Sequence, residues 1–169
     1  MKQPGSKQLL AGALATTLLT PLAHAHHSFA MYDSNKIYVM TGIVTRLDPN
    51  PNHLQVFVAP LNNERTEVLK DDKGEPVVWA IEMRSAGEEA RHGITVNAFP
   101  RGSIVSIGFH PLRNGFPGGG RGKNGFFKCP DDTPPAAGKH CDSVPGSKLY
   151  GEGGLTPTEP MPKQAAPKP

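Results

Sequence analysis

The sequence has no apolar run long enough to cross a bilayer. Its longest, Leu9 to Leu22, mixes apolar and small residues, is broken by Pro21, and falls short of the ~20 residues a membrane helix needs. A charge excess is lacking too, with 18 Lys and Arg against 15 Asp and Glu, a formal +3. Basic residues are not clustered, and the 7% of aromatics form no row beside a basic groove, so no nucleic-acid partner is expected. No Gly-rich phosphate loop links a strand to a helix, since the glycines around Gly118 precede no helical pattern. Ser28 merely adjoins His27, and Glu82 is a lone carboxylate, so neither a nucleophile with its base nor a carboxylate pair is present. Hydrolytic and phosphoryl-transfer chemistry are therefore not expected, and an enzyme is the less favoured reading.

Cysteine is also scarce: Cys129 and Cys141 are the only two. In an exported chain such a pair is expected to form a disulfide, closing a short loop. A zinc site of Cys129, His140 and Cys141 is the rival, but it supplies only three ligands.

What the chain does have begins at its start. Met1, Lys2 and Lys7 precede the apolar run, and Ala23-His24-Ala25 follows it. A basic start, a short apolar stretch and an Ala-x-Ala site predict a secretory signal over residues 1–25, cut between Ala25 and His26. A buried N-terminal helix is the competing reading. Cleavage removes His24 and makes His26 the first residue of a periplasmic or secreted protein.

Residues 26–35 then form an N-terminal arm, and 36–112 carry the strand pattern. A first strand is expected from about Ile37 to Leu47, apolar on both parities, with Gly42 marking a bulge or bend. After the turn formers Asp48-Pro49-Asn50-Pro51-Asn52, Leu54, Val56 and Val58 share one face, with His53, Gln55 and Phe57 on the other. In a third strand Val77, Trp79, Ile81 and Met83 face the core, opposite Glu82. Ser85 with Glu88 three residues on has capping-box spacing and predicts a short helix to Gly93. Val105, Ile107 and Phe109 then alternate inward, leaving Ser106 and His110 outside. Final strands are expected near Phe126–Lys128 and Lys148–Tyr150. The order β-β-β-α-β-β predicts a mainly-β, OB-like five-stranded barrel, an open sheet with one helix being the alternative. Residues 113–150 read as an irregular Gly/Pro-rich extension holding the cysteine pair. The Pro-rich tail over 151–169 is expected to be disordered, since it lacks apolar surface to offset its ordering entropy.

The histidines suggest a specific chemistry. As a mature N-terminus, His26 offers its imidazole and its α-amino group to one metal ion. The amine's reference pKa of ~7.7–8.0 lets a metal displace its proton near neutrality. Planar nitrogen donors suit Cu(II), and a further imidazole from His27, His53 or His110 would complete a three-nitrogen set. This chelate resembles the copper histidine brace of secreted polysaccharide monooxygenases and certain periplasmic copper proteins, a likeness confined to that residue. The competing reading leaves His26 and His27 as solvent-exposed residues of a frayed terminus.

Several short motifs together resemble a family of small secreted bacterial proteins of unknown function. They are His26-His27-Ser28-Phe29, Gly42-Ile43-Val44, an Asn-Pro-His-like turn, Trp79-Ala80-Ile81-Glu82, the Gly102-to-Gly108 element and Gly146-Ser147-Lys148-Leu149. The resemblance spans roughly residues 26–112, with a weaker extension to Gly151, implies a small β-barrel, and marks Trp79 and Glu82 as motif residues. One departure matters: Asn52 separates Pro51 from His53, and a one-residue shift in a strand moves a side chain to the other face. The expected protein is a periplasmic domain binding Cu(II) through His26 and a partner histidine. The alternative is a metal-free module that binds an envelope protein or a small ligand.

Overall fold

Alternation becomes strand wherever one parity can be buried. The computed structural model describes residues 29–162, and seven strands form there: β1 (Tyr38–Asp48), β2 (Gln55–Pro60), β3 (Trp79–Glu82), β4 (Ile104–Pro111), β5 (Gly118–Gly120), β6 (Phe126–Lys128) and β7 (Lys148–Leu149). Helix α1 (Ala86–Arg91) lies between β3 and β4. β1 pairs antiparallel with both β2 and β4, β2 with β3, and β4 with β5, while β3 and β5 run parallel. The ring therefore closes as β1-β2-β3-β5-β4 and back to β1, the OB-like barrel expected, with no open edge along it. β6 and β7 form a ribbon extending from the N-terminal half of β4.

Val56, Val58, Trp79, Ile81, Val105, Ile107 and Phe109 fill the interior, as their alternation predicted. In β1 the inward residues change parity, from Met40 and Val44 to Leu47. A register shift between Val44 and Arg46 inserts the extra residue that allows this. Gly42 is thus not the bulge. It marks close strand approach, because a Cβ there would lie 2.5 Å from the Ala59 carbonyl oxygen and from Val58 Cγ1.

The larger correction concerns the fifth barrel strand. It is the Gly118-Gly119-Gly120 triplet, inside the stretch expected to be irregular; the segments expected as final strands form β6 and β7 outside the ring. Side-chain alternation cannot reveal a strand without side chains. The absence is required by crowding: a Cβ on Gly119 would sit 2.4 Å from both the His110 carbonyl oxygen and Phe109 Cδ2.

The capping residue of α1 behaves as its spacing predicts, Glu88 N–H donating to Ser85 Oγ at 3.3 Å. Beside it, Glu89 is buried and accepts from Arg121 Nη2 at 2.8 and 3.0 Å, and from Arg84 Nε at 3.2 Å. Arg121 directly follows β5, so this buried ion pair fastens the closing strand to the helix. A second apolar cluster covers the outer face of β1 and β4, where Leu61 and Ile104 pack on the Cys129–Cys141 disulfide. Beneath it Thr41 Oγ1 and Ser106 Oγ share a hydrogen bond of 2.6 Å, and Cys141 N–H donates to Ser106 Oγ at 2.8 Å.

Residues 151–162 of the Pro-rich tail lie against the barrel. There Gly125 N–H donates to the Gly154 carbonyl at 2.9 Å, Thr158 N–H to that of Ile37 at 3.0 Å, and Met161 packs against the core. Backbone hydrogen bonds hold this segment, a contribution that composition does not register. Residues 163–169 lie outside the described residues. Among the described residues no helix is long and apolar enough to cross a membrane.

Candidate functional site

Strand register assembles one outward-facing stripe. Gln55 pairs with Glu82, Glu82 with Gly120, and Gly120 with His110. Residues on one rung point to the same face, so Glu82 and His110 flank Gly120 about 10 Å apart, two strand spacings. The missing side chain at Gly120 is filled from outside the ring. Tyr32 lays its ring there, and a Cβ on Gly120 would lie 2.7 Å from Tyr32 Cε2. Its strand-like bridge to Leu112 holds the chain in place. Burial first, and the adjacent Glu82 carboxylate second, push the Tyr32 phenol above its ordinary pKa, so it remains protonated across the physiological range.

Two histidines bracket this stripe. His53 is exposed just before β2, its Nδ1 3.4 Å from Glu82 Oε1. On the other side, His110 Nδ1 lies 2.8 Å from the Lys36 carbonyl. A carbonyl only accepts, so Nδ1 carries the hydrogen and Nε2 is the nitrogen whose lone pair the neutral ring can offer, the arrangement that orients histidine for a metal. The His110 ring rests near Gly122, where a Cβ would be 3.6 Å from Nε2. Phe29, Tyr32, His53, Glu82 and Gly122 line one hollow of about 100 Å³.

Of the sequence candidates, His53 and Glu82 meet directly, and His110 stands on the same rung as Glu82 beyond Tyr32. His26 and His27 lie outside the described residues. Trp79 is not part of the stripe: it faces the core, its ring 5.4 Å from that of Phe109. Cys129 and Cys141 are bonded to each other, and His140 pairs with Thr41 Oγ1 at 2.8 Å, so the three-ligand zinc arrangement does not form. Among the described residues no three His, Cys, Asp or Glu side chains gather into a metal cage. Sequence reasoning missed Tyr32 and Gly120, whose contact depends on the unseen strand β5.

Fold and stripe thus define a small closed β-barrel with a histidine- and carboxylate-bearing outer face. A family model matches residues 15–121, and the chain belongs to that family, described as a family of unknown function (DUF6152). No curated protein matches, and no solved structure does either.

Proposed function

We propose that the processed protein is a periplasmic copper-binding protein. One Cu(II) is held by the α-amino group and imidazole of His26, with the Nε2 of His110 as third nitrogen. The observation that carries this reading is the position of Phe29. Phe29 lines the same hollow as His53, Glu82 and Gly122, and Gly122 adjoins the His110 ring. His26 is three residues upstream, within about 11 Å of chain length. His110 is favoured over His53 because its Nδ1–H is engaged by a carbonyl, which leaves Nε2 available. Export is supported by the basic, apolar and Ala-x-Ala pattern of residues 1–25 and by the Cys129–Cys141 disulfide, a bond that persists in oxidising compartments.

The test is electron paramagnetic resonance of correctly processed protein with one equivalent of Cu(II). The expected spectrum shows nitrogen couplings from three donors, with one lost in His110→Ala and none in His53→Ala. The full set retained in His110→Ala would overturn that assignment. Failure to bind one equivalent would overturn the reading itself.

A further inference from the structure

We propose that a second site, a cleft at the mouth of the barrel, binds a small aromatic carboxylate. This inference is independent of the copper reading. The cleft holds about 220 Å³, with Tyr38, Trp79, Leu112 and Phe116 among its walls and Asp33, Lys36 and Arg113 at its rim. That volume is on the order of seven waters at ~30 Å³ each, enough for one ring and a short polar group. Aromatic walls favour a ring: Phe116 is 47% exposed with nothing covering that part of its face, while Tyr38 and Trp79 both pack on Phe109 behind the cleft.

The charge at the rim selects the polar group. Lys36 and Arg113 share the rim with Asp33, which accepts from Asn35 N–H at 3.2 Å, and with Glu159, which pairs with Lys36, so Arg113 is the rim cation that has no carboxylate partner among the described residues. Arg113 is oriented by its Nε, which donates to the Ala30 carbonyl at 3.2 Å, and its two terminal amino groups meet no acceptor among the described residues. A carboxylate accepts two parallel bonds from such a fork. The buried indole N–H of Trp79, a residue of the cleft wall, is a further donor without a partner.

The chain itself supplies a stand-in for this ligand. Glu159 places its carboxylate 3.3 Å from Lys36 Nζ, and Pro162, three residues on, lines the cleft. The segment from Thr158 to Pro162 therefore competes for the rim, and an incoming carboxylate displaces Glu159 from Lys36.

Trp79 is the only tryptophan, so its fluorescence reports occupancy directly. The metal-free protein is titrated with benzoate in the presence of EDTA, and with benzyl alcohol and benzylamine as neutral and cationic counterparts. Benzoate is expected to give a saturable change that the other two do not. Arg113→Gln, on an exposed turn and checked for folding by circular dichroism, weakens benzoate about tenfold, the loss of one charged hydrogen-bonding partner. Glu159→Gln tightens it severalfold. No saturable response to benzoate, or an equal response to benzylamine, would overturn the site. Unchanged affinity in Arg113→Gln would overturn the anion assignment, and unchanged affinity in Glu159→Gln the competition.

Discussion

Glu89→Gln keeps the shape of a side chain and removes only its charge, which makes it the sharpest probe of how the barrel is closed. Arg121 is 1% exposed, and its Nη2 makes both of its short bonds to Glu89, at 2.8 and 3.0 Å. Its Nε lacks a hydrogen-bond partner, and among the described residues Glu89 is the carboxylate paired with it. Arg84, the other partner of Glu89, is part-exposed and retains Glu88 at 2.8 Å, so it adds little to the loss. Breaking one side of a buried pair costs about 3–5 kcal/mol, because it leaves an uncompensated buried charge. For a domain of this size that corresponds to a fall in Tm of about 10 °C or more. Urea unfolding followed by circular dichroism, disulfide intact, should show a lower midpoint with an unchanged slope. Removing both charges in Glu89→Leu/Arg121→Met should restore most of the loss, since an apolar pair avoids the desolvation of two ions. A single variant within about 1 kcal/mol of wild type, or a double variant no better than the single, would refute the reasoning.

Gly119→Ala should destabilise by about 3 kcal/mol or more, because its Cβ meets a carbonyl oxygen and an aromatic ring at 2.4 Å and neither can yield cheaply; chemical denaturation measures this. Replacing Cys129 and Cys141 by serine should cost about 2–5 kcal/mol and loosen the cluster over β1 and β4, detected by faster amide exchange there. Burial, and next the Arg65 cation, hold the His140 pKa below its ordinary value of 6.5. The unfolded chain then binds the extra proton, so stability is complete above about pH 6.5 and falls as pH drops below it. Comparing unfolding at neutral and mildly acidic pH, His140→Gln should flatten part of that fall; an identical pH profile would remove His140 from the account.

The barrel was readable wherever side chains report burial. Trp79, Ile81, Val105, Ile107 and Phe109 alternate in the sequence and fill the interior in the structure. It was unreadable where the physics acts through absence or through backbone. The triplet at Gly118 is a strand by backbone pairing with β3 and β4 and is glycine because Cβ atoms there would crowd their neighbours, so it carries no side-chain period. The segment near Thr158 is held by main-chain hydrogen bonds to Ile37, which composition cannot weigh. Nothing in the sequence marks Glu89 for burial, and its placement opposite Arg121 explains it. The stripe was half legible for the same reason: His53, Glu82 and His110 stand out as residue types, but Tyr32 joins them only through the vacancy at Gly120.

The central claim is that signal cleavage creates the copper ligand. It is tested most directly by competitive Cu(II) titration of two proteins that both begin at His26, one with a free α-amino group and one with that group acetylated. A terminal-amine chelate predicts one tight Cu(II) in the first and markedly weaker binding in the second, whose acetylated nitrogen no longer offers an amine lone pair. Equal affinity in the two proteins would contradict the account.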